Sequence, residues 1–129
     1  GRRTRFGYLV DQHATNVLQW CGVRKVDLDS GQTLSAYTDD AGYSWYSEPW
    51  FAAADAPHGE VRGEDHGYVV AFRFDARTRR QTLDVFDACD LARGPVAQVA
   101  MPRHVPAGFH GCWIAAARVA GWDRPGISA

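Results

Sequence analysis

The sequence predicts an all-β protein built from antiparallel meander sheets. Short apolar stretches alternate with turns rich in Gly, Asp and Pro through most of the 129 residues. The clearest stretch is 67–75, because alternate apolar residues there have the period of two typical of a half-buried strand. One face of this strand carries the larger apolar residues Tyr68, Val70, Phe72 and Phe74.

The other elements follow the same pattern in chain order. Further strands are predicted at residues 6–10, 26–28, 34–37, 81–86 and 96–101, with Leu83 and Val85 sharing one face. Turn sequences separate them, such as DSG at 29–31 and ARGP at 92–95. Strands at this spacing form two meanders, at about 3–40 and 66–101. This arrangement suits successive blades of a β-propeller, although a sandwich or barrel predicts a similar pattern. Only 114–120 has a helix-forming composition.

Composition excludes several classes of protein. The 14 basic and 15 acidic residues leave a net charge of −1, so nothing favours binding of nucleic acid. There is no apolar run of about 18 residues, the length that a transmembrane helix needs. Three cysteines without a CxxC pair indicate reduced thiols and a cytoplasmic location. The chain starts at Gly1 and its single methionine is Met101, so we expect the C-terminal piece of a longer protein. It forms one domain, 1–129, with 115–129 as a tail.

The candidate functional motif is GFHG at 108–111. Glycines on both sides of His110 leave room around its ring, and a neutral imidazole is the commonest metal ligand among side chains. A single histidine cannot hold a catalytic metal, so further ligands are required. Cys112 lies nearby, but a small packing residue is the simpler interpretation.

Four motifs in order carry a resemblance to a known family. They are SEPWF at 47–51, GEDHGY at 63–68, LDVFDA at 83–88 and GFHG at 108–111, preceded by KVDLDSG at 25–31. In this order and spacing they resemble the C-terminal end of the carotenoid cleavage oxygenases. Each motif alone is weak evidence, whereas the ordered set is specific.

The resemblance implies a fold, a metal and a reaction. Members are seven-bladed β-propellers with a ferrous ion, Fe(2+), held by four histidines, and this chain would supply the last blades. By position, His110 matches the last iron ligand and Glu48 matches a glutamate that supports it, while Phe109 could line the substrate site. The other ligands would lie upstream, since His13 matches no ligand motif. The implied reaction is dioxygenase cleavage of a conjugated C=C bond, with O2 and a polyene or stilbene as partners. Peripheral membrane contact is plausible for such substrates, and the oligomeric state is not predicted.

Two other interpretations stay open. His58-Gly59-Glu60 could be part of a two-histidine, one-carboxylate iron site, completed by His104 or His110. Alternatively, the chain could belong to a non-catalytic β-propeller module that binds a ligand or partner. His66 and His104 are otherwise expected to be surface residues.

Overall fold

The computed structural model describes residues 3–12, 19–39, 41–55, 63–106, 108, 110–115 and 119. The regular elements of these residues are strands and one short 3-10 turn, which confirms the predicted all-β class. In chain order the elements are β1 (Phe6–Gln12), β2 (Trp20–Asp27), β3 (Thr33–Thr38), β4 (Ser44–Tyr46), β5 (Trp50–Ala53), β6 (Gly67–Asp75), β7 (Arg80–Asp87), the 3-10 turn Leu91–Arg93 and β8 (Pro95–Ala100).

The strands form two antiparallel sheets. The first is the meander β1-β2-β3, and in the second β4 and β5 both pair with β6, which is followed by β7 and β8. The two predicted meanders are therefore confirmed. Sequence periodicity did not reveal β4 and β5, because three or four residues are too few to show alternation.

The predicted turn between β2 and β3 is held by a side chain. The carboxylate of Asp27 accepts the backbone N–H groups of Asp29 and Ser30, at 2.9 and 3.1 Å. Gly31 completes the turn with φ of 72°, a conformation that costs glycine little. Asp27 also binds the guanidinium of Arg5 at 2.9 Å. These contacts hold the pKa of Asp27 below its usual value, chiefly through the Arg5 hydrogen bond.

The core does not lie on the face of β6 that carries the larger apolar residues. Val69 and Ala71 on the opposite face are fully buried, whereas Tyr68 is 46% exposed. Val70 is buried as well, so the middle of this strand is covered on both sides. Alternation shows which residues share a face, but only the packing of the two sheets decides which face is covered.

The same correction applies to β7, where the buried face carries Asp84 and Phe86 instead of Leu83 and Val85. The carboxylate of Asp84 accepts hydrogen bonds from three neutral donors: the Tyr46 hydroxyl at 3.1 Å, the Thr82 hydroxyl at 2.6 Å and the Gln98 amide at 3.0 Å. Phe86 packs among the buried residues Val23, Tyr46, Val69, Ala71, Ala88 and Leu91. This cluster joins both sheets into one core.

A buried ion pair also links the two sheets. Lys25 of β2 is 4% exposed, and its ammonium lies 2.6 Å from the carboxylate of Asp65, just before β6. The ammonium also lies 4.4 Å from the centre of the Phe6 ring. Next to Asp65, Glu64 accepts the backbone N–H groups of Arg5 and Phe6, at 2.8 and 3.3 Å. The KVDLDSG and GEDHGY motifs therefore meet at the junction between the sheets.

The remaining expectations concern the cysteines and the C-terminal segment. Cys21 is buried and Cys89 and Cys112 are exposed, and the three form no disulfide with one another. Ile114 and Ala115 belong to no helix or strand, and most of the proposed helix at 114–120 lies outside the described residues, as does most of the tail. Among the described residues, no helix has the length and apolar character required to cross a bilayer.

Candidate functional site

Glu48 lies in a bulge at the edge of the second sheet. Tyr46 pairs with Arg73 and Trp50 pairs with Val70, so residues 47–49 face only 71–72 and the strand holds one extra residue. An extra residue of this kind redirects side chains, and bulges are common beside active sites. Pro49 is buried and has no N–H to donate, which suits an interrupted ladder.

Ser47 makes two hydrogen bonds with the backbone of Phe72 across this bulge. Its N–H donates to the carbonyl of Phe72 at 2.8 Å, and its hydroxyl accepts the N–H of the same residue at 3.0 Å. The SEP sequence is thereby explained residue by residue, since serine anchors the bulge and proline ends it. Glu48 lies between them with its side chain 40% exposed.

His110 reaches Glu48 from a segment without regular structure. Gln81 anchors the start of this segment, because its side-chain amide donates to the carbonyl of Val105 at 2.8 Å and accepts the N–H of Val105 at 2.5 Å. Farther along, Nδ1 of His110 lies 3.5 Å from Oε2 of Glu48. The same carboxylate oxygen accepts the backbone N–H of Gly111 at 3.2 Å. The structure therefore brings the two predicted site residues together.

The geometry leaves the other imidazole nitrogen free. A carboxylate facing Nδ1 favours the tautomer with its proton on Nδ1, which leaves the lone pair of Nε2 available to a metal. The His110 side chain is 88% exposed, so this nitrogen is accessible. At 3.5 Å the contact with Glu48 is longer than a good hydrogen bond, which spans roughly 2.7–3.2 Å. A small movement of the ring would close it.

An apolar pocket of about 270 Å³ adjoins the two residues. It is lined by Tyr8, Leu9, Val10, Trp20, Glu48, Pro49 and His110. Tyr8 stacks on Phe51 with parallel rings 5.4 Å apart, and its buried hydroxyl has no hydrogen-bond partner among the described residues. Burial raises the pKa of Tyr8 well above its usual value, because the phenolate would lose its hydration. The pattern of β1 predicted Tyr8 as a strand residue but did not place it here.

The other candidate residues are not brought to this site by the described structure. Phe109, His13, His58 and Glu60 all lie outside the described residues. His104 instead packs edge-on against Phe74, with ring centres 6.3 Å apart. The described part of the chain contains no group of three or more His, Cys, Asp or Glu side chains that could hold a metal.

The fold and the site together define a class: blade-like antiparallel sheets that place a histidine beside a glutamate. Residues 1–115 match the model of the RPE65 family, described as retinal pigment epithelial membrane protein. The chain belongs to this family, the carotenoid cleavage oxygenases. The family resemblance and the predicted β-propeller blades are therefore confirmed.

Named relatives support this assignment. The chain is 36% identical over 124 residues to 9-cis-epoxycarotenoid dioxygenase NCED1 of Oryza sativa, covering 92% of this chain and 18% of the relative. It is 32% identical over 122 residues to the zeaxanthin 7,8(7',8')-cleavage dioxygenase of Crocus sativus, covering 92% and 32%. The chain thus spans less than a third of either relative.

Solved structures agree with the sequence comparison. The cobalt-substituted apocarotenoid oxygenase of Synechocystis superposes with a TM-score of 0.72 at 29% identity, over 88% of this chain and 23% of the enzyme. A lignostilbene dioxygenase from Pseudomonas brassicacearum gives a TM-score of 0.73 at 24% identity, over 88% and 25%, which supports the fold alone.

Proposed function

We propose that the whole protein containing this chain is a non-haem iron dioxygenase that cleaves a conjugated C=C bond, with His110 as one iron ligand and Glu48 as its support. The observation that carries this proposal is the convergence of His110 and Gly111 on one carboxylate oxygen, at 3.5 and 3.2 Å. Both residues lie in motifs whose order led to the family. The chain's share of its relatives' length agrees with further ligands elsewhere in the whole protein.

The residues present fit an iron ion on chemical grounds. An exposed neutral imidazole is a good ligand for ferrous iron, and a carboxylate on its other nitrogen orients the ring and raises its basicity. When bound, the iron would supply the activation of O2, whose two oxygen atoms end in the two carbonyl products of the cleaved double bond. Within this chain, Glu48 holds the proton on Nδ1 and His110 offers Nε2.

The pocket beside the pair suits an apolar substrate. Its wall is mostly hydrocarbon, from Leu9, Val10 and Pro49 and from the ring faces of Tyr8 and Trp20. Such a surface can exclude water from an extended polyene or stilbene while leaving one end near His110. We include Phe109 as a candidate substrate contact, on the basis of its position in the motif. The relatives named for carotenoid substrates support the same class.

Removal of the proposed ligand tests the function. In the whole protein, His110→Ala should lose bound iron and lose turnover of carotenoid and stilbene substrates under O2. His104→Ala, which removes an exposed histidine packed on Phe74, is the matched control and should keep both. Normal iron content with normal turnover in His110→Ala would refute the assignment. The cytoplasmic location inferred from the cysteine content stays a prediction, as does peripheral membrane contact.

A further inference from the structure

The indole of Trp50 lies against the backbone that follows His110. Trp50 begins β5, two residues after Glu48, and packs edge-on against Phe72 with ring centres 5.7 Å apart. The same indole lies close to the backbone of Gly111. A Cβ placed on Gly111 would lie 2.9 Å from Nε1 of Trp50 and closer still to the carbons of the six-membered ring. Position 111 therefore has no room for any side chain.

No hydrogen bond from the indole N–H to a described residue accounts for this contact. The Nε1 atom of Trp50 is buried and has no hydrogen-bond partner among the described residues. An unpartnered buried N–H is unfavourable, so a hydrogen bond does not explain the position of this ring. The ring instead packs against Phe72 and lies close to Gly111. Trp50 thus supports the peptide backbone by shape.

The support has a consequence for the metal site. Gly111 donates its N–H to Oε2 of Glu48, the same oxygen that faces Nδ1 of His110. Glu48 and Trp50 belong to one bulge-and-strand unit of the sheet, whereas 110–115 has no regular structure of its own. Two contacts from the rigid sheet, one ring and one carboxylate, thus fix the position of the peptide that carries His110.

We propose that Trp50 is a positioning residue for His110: its indole holds the Gly111 peptide at the distance from which the imidazole faces Glu48. The proposal rests on the proposed function, in which His110 binds the metal. Position 111 must then be glycine because the Trp50 indole excludes a side chain there. Trp50 touches neither the metal nor the substrate in this proposal.

Cobalt(II) binding to the whole protein tests the proposal without use of enzyme activity. The metal-free protein is titrated with Co²⁺, and both the dissociation constant and the visible absorption of the bound ion are measured. Gly111→Ala and Trp50→Ala should each weaken binding by about 10-fold or more and alter the spectrum, the usual scale for loss of a group that orients a ligand. The whole-protein melting temperature is recorded for each variant.

Two controls match these variants. Gly108→Ala adds the same methyl group in the same motif, where no described residue lies within 4 Å of the new atom. Trp45→Ala removes an indole that is 49% exposed and packs on Phe74. Both controls should bind Co²⁺ within about twofold of the unaltered protein, because neither contacts the His110 peptide. If Gly111→Ala and Trp50→Ala also bind within this range, the proposal is wrong.

The double variant separates positioning from general structural damage. If the indole is what excludes a side chain at 111, adding Gly111→Ala to Trp50→Ala should cause no further loss, whereas independent effects would multiply. Multiplied losses would overturn the proposal. Trp50→Leu replaces Trp50→Ala in this cycle if the alanine variant does not fold.

His110→Ala distinguishes failure of this inference from failure of the proposed function. Equal Co²⁺ binding by His110→Ala and the unaltered protein would overturn both. Loss of binding in His110→Ala, with normal binding in the Trp50 and Gly111 variants, would overturn the positioning role alone.

Discussion

Two carboxylates, Asp65 and Glu48, each face a cationic or basic side chain, but in opposite surroundings. Asp65 holds the ammonium of Lys25, which is 4% exposed, at 2.6 Å across the junction of the sheets. Glu48 faces the imidazole of His110, which is 88% exposed, at 3.5 Å. In the first pair the contact is short and the lysine is buried, whereas the second pair is open and leaves a nitrogen free. A carboxylate beside a basic side chain thus stabilises the fold at Asp65, whereas at Glu48 it leaves an imidazole nitrogen open to a ligand.

The largest expected effect concerns the buried pair. Asp65→Asn leaves the Lys25 ammonium buried without its counter-charge, so we expect a loss of about 3 kcal/mol in the free energy of unfolding, near the lower end for broken buried pairs. Urea denaturation of the whole protein at pH 7 measures this loss. Asp29→Asn is the control, because it breaks the exposed Arg3 pair and should cost less than about 0.5 kcal/mol. Equal losses in the two variants would show that the Lys25–Asp65 pair stabilises the fold no more than the exposed Arg3–Asp29 pair does.

The open pair should show the reverse behaviour. Glu48→Gln keeps the shape of the side chain but withdraws the charge that orients His110, so iron affinity of the whole protein should fall by about 10- to 100-fold. The free energy of unfolding of the metal-free protein should change by less than about 0.5 kcal/mol, since the side chain is 40% exposed. Iron titration and urea denaturation of the same samples measure the two quantities. Unchanged iron affinity in this variant would contradict the supporting role of Glu48.

A third carboxylate, that of Asp84, is buried and accepts its hydrogen bonds from neutral donors. Tyr46→Phe removes one of its three donors and should cost about 1–3 kcal/mol, the usual range for an unsatisfied buried acceptor. Tyr43→Phe is the matched control, since the Tyr43 ring is 47% exposed, and it should leave the urea midpoint unchanged. A Tyr46→Phe variant as stable as the unaltered protein would show that Thr82 and Gln98 suffice.

The smallest effect is a dependence of stability on pH. The Lys25 hydrogen bond holds the pKa of Asp65 below its ordinary value of 3.8, so the folded state favours the carboxylate. As pH falls, the unfolded chain takes up this proton first. The stabilisation is therefore complete above about pH 5 and is lost as pH falls through the folded pKa.

Unfolding free energies measured from pH 7 to pH 3 test this dependence. The difference between the unaltered protein and Asp65→Asn should shrink toward the acid end. Asp27, whose pKa is also lowered, keeps its share in both proteins and so serves as an internal reference. A difference that is constant with pH would contradict the assignment to Asp65.

Much of the fold could be predicted because its signals are local. Alternation and turn chemistry located five of the eight strands, including β6 with the bounds that the structure shows. They found only the end of β2, because the predicted 26–28 overlaps Trp20–Asp27 in two residues. The two missed strands, β4 and β5, are short and flank the bulge that carries Glu48. The core faces of β6 and β7 were not predictable. Alternation shows which residues share a face, but only the packing of a second sheet decides which face is buried.

The candidate site was likewise predicted only in part. The family resemblance implied that His110 and Glu48 belong together, although 61 residues separate them in the sequence. Nothing in the sequence predicted that Tyr8 lines the pocket, that Trp50 lies beside Gly111 or that Lys25 pairs with Asp65. Each of these contacts joins residues far apart in the chain, and no periodicity or spacing encodes such a pair.

By itself, the sequence determined the strands, their turns and the residue types able to bind a metal, because each depends on neighbours a few positions away. Only the tertiary structure decided which faces became core, which carboxylate was buried with a lysine and which was left open beside a histidine. The physical reason is that burial and electrostatics depend on distances through space, which are set when the two sheets pack together.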